Sequence, residues 1–180
     1  MCKLKYYVAC SVDGFIAHED GSWDGFLFEG KPVTDYIESL KQFDTVLMGR
    51  KTYEMGLKEG KTNPYPTMKS YVFSRTMKSS PDPKVEIVSD DFSGLVRSLK
   101  QKAGKDIYLC GGAKLATSLF TEGLVDQIVL KINPFIMGSG IPLFSGVVKQ
   151  TTLELTESKI YENGVVLLHY QVSYSNSPHN

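Results

Sequence analysis

The chain has 180 residues, of which 42% are hydrophobic and 22% are charged, a composition typical of a globular domain with a buried core. Lysine plus arginine and aspartate plus glutamate number 20 each, so no overall charge recruits nucleic acid or an anionic membrane. No apolar run reaches the length of a membrane span, and the charged amino terminus lacks the apolar part of a signal peptide, so we expect a cytoplasmic protein.

Hydrophobic patterning predicts alternating strands and helices. Strands are predicted at 4–10, 45–48, 71–73, 85–88, 107–110 and 125–132. Helices are predicted from Thr34 or Asp35 to 41, from about 50, from Asp90 or Asp91 to 102, and from 113 to 120. The last two predicted strands, 151–160 and 165–174, flank Glu162-Asn163-Gly164, which favours a hairpin because Asn-Gly tolerates positive φ.

This order of elements predicts an α/β fold with three layers, α/β/α. A mostly parallel central sheet would carry helices on both faces and end in an antiparallel C-terminal hairpin. We expect a single domain over residues 1–174 and a frayed tail at 175–180. The three cysteines, Cys2, Cys10 and Cys110, lack metal-ligand spacing, so we expect neither a disulfide framework nor a metal site.

Four polar segments follow directly on predicted strands, so their residues should meet at one edge of the sheet. Glycines there allow close backbone approach, and helix starts, guanidinium groups and ammonium groups bind phosphate, so the set predicts a site for several phosphates. Each segment alone could be an ordinary turn with solvated charges. The segments are Ser11-Val12-Asp13-Gly14, Gly49-Arg50-Lys51-Thr52, Ser74-Arg75-Thr76 and Gly111-Gly112-Ala113-Lys114.

Together with Leu124-Val125-Asp126-Gln127-Ile128 and Gly138-Ser139-Gly140-Ile141-Pro142-Leu143-Phe144, these segments resemble the dihydrofolate reductase superfamily. Within it the chain is similar to the reductase domain of the bifunctional riboflavin-biosynthesis deaminase-reductase and to its stand-alone relatives. The resemblance covers about residues 4–172. It implies a dihydrofolate reductase-like fold and a hydride transfer from NADPH.

The resemblance also assigns the contacts of NADPH. Ala9 and Ile16 match positions whose backbone groups hold the nicotinamide carboxamide, and the loop from Asp13 to Trp23 matches a mobile loop that closes over that ring. Arg75 would meet the 2′-phosphate and favour NADPH over NADH, because a guanidinium suits a phosphate dianion. The residues matched on the adenosine and diphosphate side are Gly49, Arg50, Lys51, Thr52, Ser74, Arg75, Thr76, Cys110, Gly111, Gly112, Ala113, Lys114 and Leu115. A cis peptide bond is implied between Gly111 and Gly112.

The substrate side is less completely matched. Asp35 lies roughly where folate reductases carry the acid that holds the pterin, and as proton donor it should have a raised pKa. Alternatively, Asp35 is an ordinary helix acid and the proton comes from solvent or substrate. Lys131 interrupts an apolar strand and could point into the cleft or into solvent. Asp13, which the resemblance places among the cofactor contacts, could also bind a substrate hydroxyl or serve only its turn.

These observations predict an NADPH-dependent reductase with a small heteroaromatic, carbonyl or imine substrate, either pterin-like or pyrimidine-like. The alternatives are a non-catalytic module that binds or senses NADPH and an interaction protein that has lost the pocket. The predicted strand 165–174 is more apolar than a solvated edge strand. Since related reductase domains dimerise, we expect a homodimer that uses the late strands, and no nucleic-acid or membrane partner.

Overall fold

An eight-stranded sheet runs through the computed structural model, which describes residues 1–174. The predicted tail, 175–180, lies outside the described residues. The strands of this sheet are β1 (Leu4–Ser11), β3 (Phe43–Gly49), β4 (Lys69–Phe73), β5 (Val85–Val88), β6 (Asp106–Gly111), β7 (Gln127–Asn133), β9 (Thr152–Ile160) and β10 (Val166–Ser173). Their order is β5-β4-β3-β6-β1-β7-β10-β9. The first six are parallel, and β10 is antiparallel to both of its neighbours.

Within the described residues, four α-helices cover the two faces of the sheet: α1 (Lys31–Ser39), α2 (Arg50–Lys58), α3 (Phe92–Gln101) and α4 (Ala113–Thr121). Helices α1 and α2 pack on the face that carries Tyr7 and Val129. Helices α3 and α4 pack on the opposite face, which carries Leu4 and Ile128. The predicted α/β fold with helices on both faces and a C-terminal hairpin is therefore confirmed.

Helix α1 begins at Lys31, ahead of the start predicted at Thr34 or Asp35. Gly30 precedes the helix with a φ of 76°, and Pro32 lies in its first turn. Proline suits this position because its fixed φ is helical and its missing N–H would have had no partner in the helix. The predicted cap was wrong because this glycine and proline set the start.

The predicted cap of α3 and the predicted hairpin turn are confirmed. The Asp91 carboxylate accepts a hydrogen bond from the Gly94 N–H at 3.1 Å, and Gly164 has a φ of 83° between β9 and β10. Two very short strands, β2 (Phe15–Ala17) and β8 (Ile141–Pro142), form a separate antiparallel pair. The sequence does not predict them, because two or three residues are too few to show a period.

Strand β1 separates from β6 before either strand ends. The last pair in register between them is Tyr6 with Leu109, whereas β1 stays paired with β7 as far as Ser11 and Asn133. After β1 the chain continues to α1 on one face of the sheet, and after β6 it continues to α4 on the other. Adjacent strands that continue to opposite faces form the crevice in which open α/β sheets bind ligands.

Candidate active site

The amino-terminal ends of α2 and α4 lie against each other at the ends of β3 and β6. Gly49 precedes α2 and Gly112 precedes α4, and a Cβ placed on Gly112 would lie 3.2 Å from the Gly49 Cα. Neither helix has a side-chain cap. Their first N–H groups and the positive ends of both helix dipoles are therefore directed toward the same region, an arrangement that favours an anion.

Basic and hydroxyl side chains surround this pair of helix starts. Arg50 and Lys51 open α2, and Lys114 lies in the first turn of α4. The Arg50 guanidinium donates to the Glu54 carboxylate one turn further on, at 2.8 Å. The Thr52 hydroxyl oxygen lies within 3.7 Å of the positions that Cβ atoms would take on both glycines of the pair after β6. The predicted phosphate segments 49–52 and 111–114, with their basic residues, therefore lie side by side.

The third predicted phosphate segment follows β4. The Ser74 hydroxyl is buried and accepts hydrogen bonds from the Met77 N–H at 2.9 Å and the Thr76 N–H at 3.2 Å. Ser74 therefore shapes the turn. Arg75 is exposed, and its guanidinium lies 6.0 Å from the centre of the Phe92 ring. Arg75 is accordingly the charged group of this segment that can meet a phosphate.

The glycine pair after β6 turns the chain from strand to helix. No cis peptide bond occurs in residues 1–174, so the cis bond expected between Gly111 and Gly112 is not found. The two glycines have φ values of 154° and 100°, which side chains rarely allow. These values turn the chain with a trans bond, and they bring Gly112 against the Gly49 backbone.

The residues predicted to hold the nicotinamide lie on β1 and β2. Ala9 is partly exposed near the end of β1, in register with Lys131 of β7. Ile16 lies in β2, which follows a tight turn closed by a hydrogen bond from the Gly14 N–H to the Ser11 carbonyl at 3.1 Å. Ala9 therefore lies beside the crevice, and the short turn returns the chain to β2 nearby.

Asp13 joins two loops. Its carboxylate accepts hydrogen bonds from the Met137 N–H at 3.0 Å, the Gly138 N–H at 2.8 Å and the Ser11 hydroxyl at 2.6 Å. The bond from Met137, followed by that from Ser11, lowers the pKa of Asp13 to about 2. Both carboxylate oxygens are therefore engaged by the protein, which favours the turn alternative over a contact with the cofactor.

Asp35 lies on the side of α1 that faces the hairpin. Its carboxylate pairs with the ammonium groups of Lys159 and Lys31, and it accepts a hydrogen bond from the Tyr161 hydroxyl at 2.9 Å. Lys159 first, and then Lys31, hold the pKa of Asp35 well below its usual range. The expected rise in pKa is wrong, because the carboxylate is surrounded by donors that stabilise its charged form.

We expect Asp35→Asn to reduce the acid sensitivity of folding. Because the pKa is lower in the folded chain, Asp35 contributes stability above about pH 4, and this contribution is lost as pH falls further. The thermal unfolding midpoint should therefore fall more steeply from about pH 6 to about pH 3 in the wild type than in the variant. Glu38→Gln is the matched control, because Glu38 also lies on α1 and this change removes only an exposed ion pair with Lys41. Parallel curves for wild type and Asp35→Asn would contradict the assignment.

Tyr36, the next residue of α1, reaches the strands that border the crevice. Its hydroxyl oxygen lies 3.0 Å from that of Tyr108 and 3.2 Å from that of Tyr65, which in turn lies 3.1 Å from the Cys110 sulfur. Burial raises the pKa of Tyr36 to about 12 and also raises the pKa of Cys110. These groups are therefore neutral donors at physiological pH. Sequence reasoning selected Cys110 but missed the tyrosines, because residues far apart in the chain carry no spacing signal.

Lys131 points inward from β7 on the face that carries Val129. It is 8% exposed, and its neighbours in register are Ala9 of β1 and Leu167 of β10. Its ammonium donates to the Leu27 carbonyl and lies 5.6 Å from the centre of the Phe28 ring. Burial lowers the pKa of Lys131. The solvent-facing alternative for this lysine is therefore wrong.

The segment between β2 and α1, residues 18–30, is fixed at Leu27. The Leu27 N–H donates to the Asn133 side-chain oxygen at 3.0 Å, and the Leu27 carbonyl accepts from Lys131. At its other end, a Cβ placed on Gly21 would lie 3.2 Å from the sulfur of Met55 in α2. The segment therefore extends from the β7 side of the sheet to α2.

The structure was also compared with the expectations about membrane spans and metal sites. In the part of the chain that the structure describes, no helix combines the length and the apolar character that a membrane span needs. Across the same residues, no three His, Cys, Asp or Glu side chains gather into a group that could hold a metal. The cytoplasmic location stays a prediction.

The mostly parallel sheet with helices on both faces and an antiparallel hairpin is a dihydrofolate reductase-like fold. The family model described as the RibD C-terminal domain matches residues 3–167, and the chain belongs to this family. Uncharacterized protein YwjB of Bacillus subtilis (strain 168) is 36% identical over 169 residues, covering 93% of this chain and 97% of that protein.

Two solved structures show the same fold. A putative riboflavin biosynthesis protein from Shewanella sp. PV-4 has a TM-score of 0.82 at 24% identity, covering 97% of this chain and all of that one (100%). A diaminohydroxyphosphoribosylaminopyrimidine deaminase/5-amino-6-(5-phosphoribosylamino)uracil reductase from Thermotoga maritima has a TM-score of 0.70 at 16% identity. The match covers 96% of this chain and 57% of the Thermotoga chain, so this chain corresponds to one part of that larger protein.

Proposed function

We propose that the protein is an NADPH-dependent reductase that reduces a C=N or C=O bond of a small pyrimidine-like or pterin-like substrate. The observation that carries the proposal is the contact between Gly49 and Gly112, which sets two uncapped helix starts side by side at the crevice. Membership of the RibD C-terminal family supports a reductase of the riboflavin pathway. The first substrate to try is 5-amino-6-(5-phosphoribosylamino)uracil, the compound in the name of the Thermotoga protein.

The residues at the crevice fit NADPH. The starts of α2 and α4, with the hydroxyl of Thr52 and the nearby cations, would hold its diphosphate, and Arg75 would hold its 2′-phosphate. Backbone groups of Ala9 and Ile16 would hold the nicotinamide carboxamide. When bound, NADPH supplies the hydride. The side chains of the α1 face then orient the substrate and exclude water.

Asp35 does not suit the role of proton donor in this reaction. Its carboxylate is held in the charged form by Lys159 and Lys31 on the side of α1 toward the hairpin. A donor must carry a proton and reach the reacting atom. We propose instead that Asp35 ties the hairpin to α1.

The test uses Trp23, the single tryptophan of the chain, which lies in segment 18–30. NADPH should change its fluorescence in a saturable titration, and NADPH should be consumed when 5-amino-6-(5-phosphoribosylamino)uracil is added. A panel of pterins and other pyrimidines extends the search. Binding without turnover across the panel would favour the NADPH-sensing alternative. Absence of NADPH binding would refute both functions.

We also propose a homodimer that forms through the late strands. Strand β9 is exposed along its whole length, and its side chains Leu155 and Ile160 are 52% and 80% exposed. An exposed apolar edge strand of this kind favours association.

Light scattering should give twice the 20.0 kDa mass of the chain, and Leu155→Lys should shift the mass toward the monomer. Val147→Lys, at a side chain that is 93% exposed outside the strands, is the control. A 20.0 kDa species alone would overturn the proposal.

A further inference from the structure

Lys131 carries a positive charge where its surroundings offer no negative charge. It is 8% exposed, and among residues 1–174 its ammonium forms no ion pair, its hydrogen bond being made to the Leu27 carbonyl. Lys5 and Lys100, whose side chains are each 15% exposed, pair instead with Asp106 and Asp126. Burial of an ammonium without a counter-charge costs free energy. Such a group is therefore suited to an electron-rich atom of a ligand.

Lys131 lies beside the point at which β1 and β6 separate. Ala9 is its neighbour in register on β1, and it projects only a methyl group from a partly exposed position. At this level β1 is no longer paired with β6. The Cys110 sulfur and the Tyr65 hydroxyl lie on the β6 side of the same sheet face. On this face of the sheet, β1 with Ala9 therefore lies between Lys131 of β7 on one side and the neutral donors beside β6 on the other.

We propose that Lys131 is the proton donor of the reduction, giving a proton to the substrate atom that becomes electron-rich as the hydride arrives. The inference rests on the proposed function. A C–H bond forms at the substrate carbon, and the π electron pair of the C=N or C=O bond moves to the nitrogen or oxygen. An N–H bond of Lys131 breaks, and the new N–H or O–H bond forms on the substrate. NADPH is oxidised to NADP⁺, and the neutral lysine amine then takes a proton from water.

Other groups near the crevice are less suited to this step. Asp35 is held in its charged form, and burial raises the pKa of Tyr65 and of Cys110, which makes both weaker acids. Burial has the opposite effect on Lys131, because it disfavours the ammonium and brings its pKa closer to neutrality. A donor is most effective when its pKa lies near the working pH.

The first experiment compares Lys131→Met with Lys5→Met. Lys131→Met removes an unpaired buried charge, so stability should be equal or higher, whereas turnover should fall by ~100-fold or more. NADPH binding, read from Trp23 fluorescence, should be unchanged. Lys5→Met breaks the pair with Asp106 at the amino-terminal end of β1, so it should lower stability and leave turnover intact. The two variants should therefore show opposite patterns.

The second experiment measures the titration of Lys131. In the wild type, kcat/KM should be level at low pH and fall as pH rises through the lowered pKa of Lys131, and this fall should be absent from Lys131→Met. NMR of protein labelled with ¹⁵N-lysine should show an Nζ midpoint below that of ordinary lysines, identified by its loss in the variant. The titratable groups on this face include His169 of β10, whose pKa is lowered by burial. The others on neighbouring elements are Asp35 and Tyr36 on α1, Tyr65 before β4, Lys159 and Tyr161 at the hairpin, Tyr7 on β1 and Cys110 on β6, and burial is the cause of the Lys131 shift.

The outcomes separate this inference from the proposed function. If wild-type protein binds NADPH but reduces none of the substrates, the reductase function and the proton donor are both refuted. If the wild type turns over and Lys131→Met keeps that turnover, the donor role alone is refuted. If Lys131→Met loses turnover together with stability, Lys131 is a structural anchor of Leu27, and the proposal is overturned.

Discussion

Gly112→Ala should lose about 2–5 kcal/mol of folding free energy, the sum of an unfavourable positive φ and an overpacked contact. The new Cβ would lie 3.2 Å from the Gly49 Cα and 3.4 Å from the Gly49 nitrogen, at a φ of 100°. Backbone atoms of β3 cannot move aside as a flexible side chain could. Urea denaturation of the wild type and the variant measures the loss, provided that the two proteins have the same m value.

Gly123→Ala is the matched control for this substitution. Gly123 also has a positive φ, of 68°, but a Cβ there would meet nothing within 4 Å. Its cost should therefore be only the backbone part, about 1–2 kcal/mol. Gly112→Ala should also lose NADPH binding, because any separation of the two helix starts disperses their N–H groups. Equal stability of the two variants, or normal NADPH binding by Gly112→Ala, would contradict the close packing that we describe.

Arg75→Ala should weaken NADPH binding by about 1.5–3 kcal/mol, the range for a hydrogen bond to a charged group, and leave NADH binding almost unchanged. The reason is that NADPH alone carries the 2′-phosphate. Arg75 is the exposed cation at the end of β4. Titrations of both cofactors against Trp23 fluorescence measure the difference.

Arg97→Ala provides the control for the loss of an arginine. Arg97 is half exposed on α3, and its guanidinium pairs with Glu122 of the segment after α4. Its removal should leave the affinities for NADPH and NADH unaltered. An equal loss of both cofactors in Arg75→Ala would show that Arg75 meets a group common to them, and the assignment to the 2′-phosphate would be withdrawn.

The order of the elements could be predicted from the sequence, because each depends on local periodicity. The rotation of α1 about its axis could not. Successive residues of a helix point about 100° apart, so Asp35 faces the hairpin while Tyr36 reaches β6. Because Tyr36 rather than Asp35 is turned toward β6, the crevice receives a neutral hydroxyl instead of a carboxylate. The helix could be predicted from the sequence, whereas tertiary packing decides which of its side chains faces the crevice.

Lys131 shows the same limit on a strand. Alternation along β7 places it on the same face as Val129, but a strand pattern does not reveal what covers that face. The cover comes from segment 18–30, which approaches through Leu27. The meeting of the two helix starts at Gly49 and Gly112 was easier to predict, because a glycine directly after a strand is a local signal and the ends of parallel strands share one edge. The surroundings of Lys131 and the orientation of α1 depend on contacts between segments that are far apart in the chain.

The attachment at Leu27 also affects how fast segment 18–30 can open. It divides the segment into a long arm, 18–26, and a short arm, 28–30. An arm of this length closes in roughly 10–100 ns, whereas an ordinary enzyme completes about ten cycles each second. Diffusion of the arm would therefore be far too fast to limit turnover in the proposed reductase. Opening of the segment must also release the Leu27 backbone from Asn133 and Lys131 and withdraw Phe26 from the Phe135 ring, 5.2 Å away, so these contacts rather than the length of the loop would set its rate.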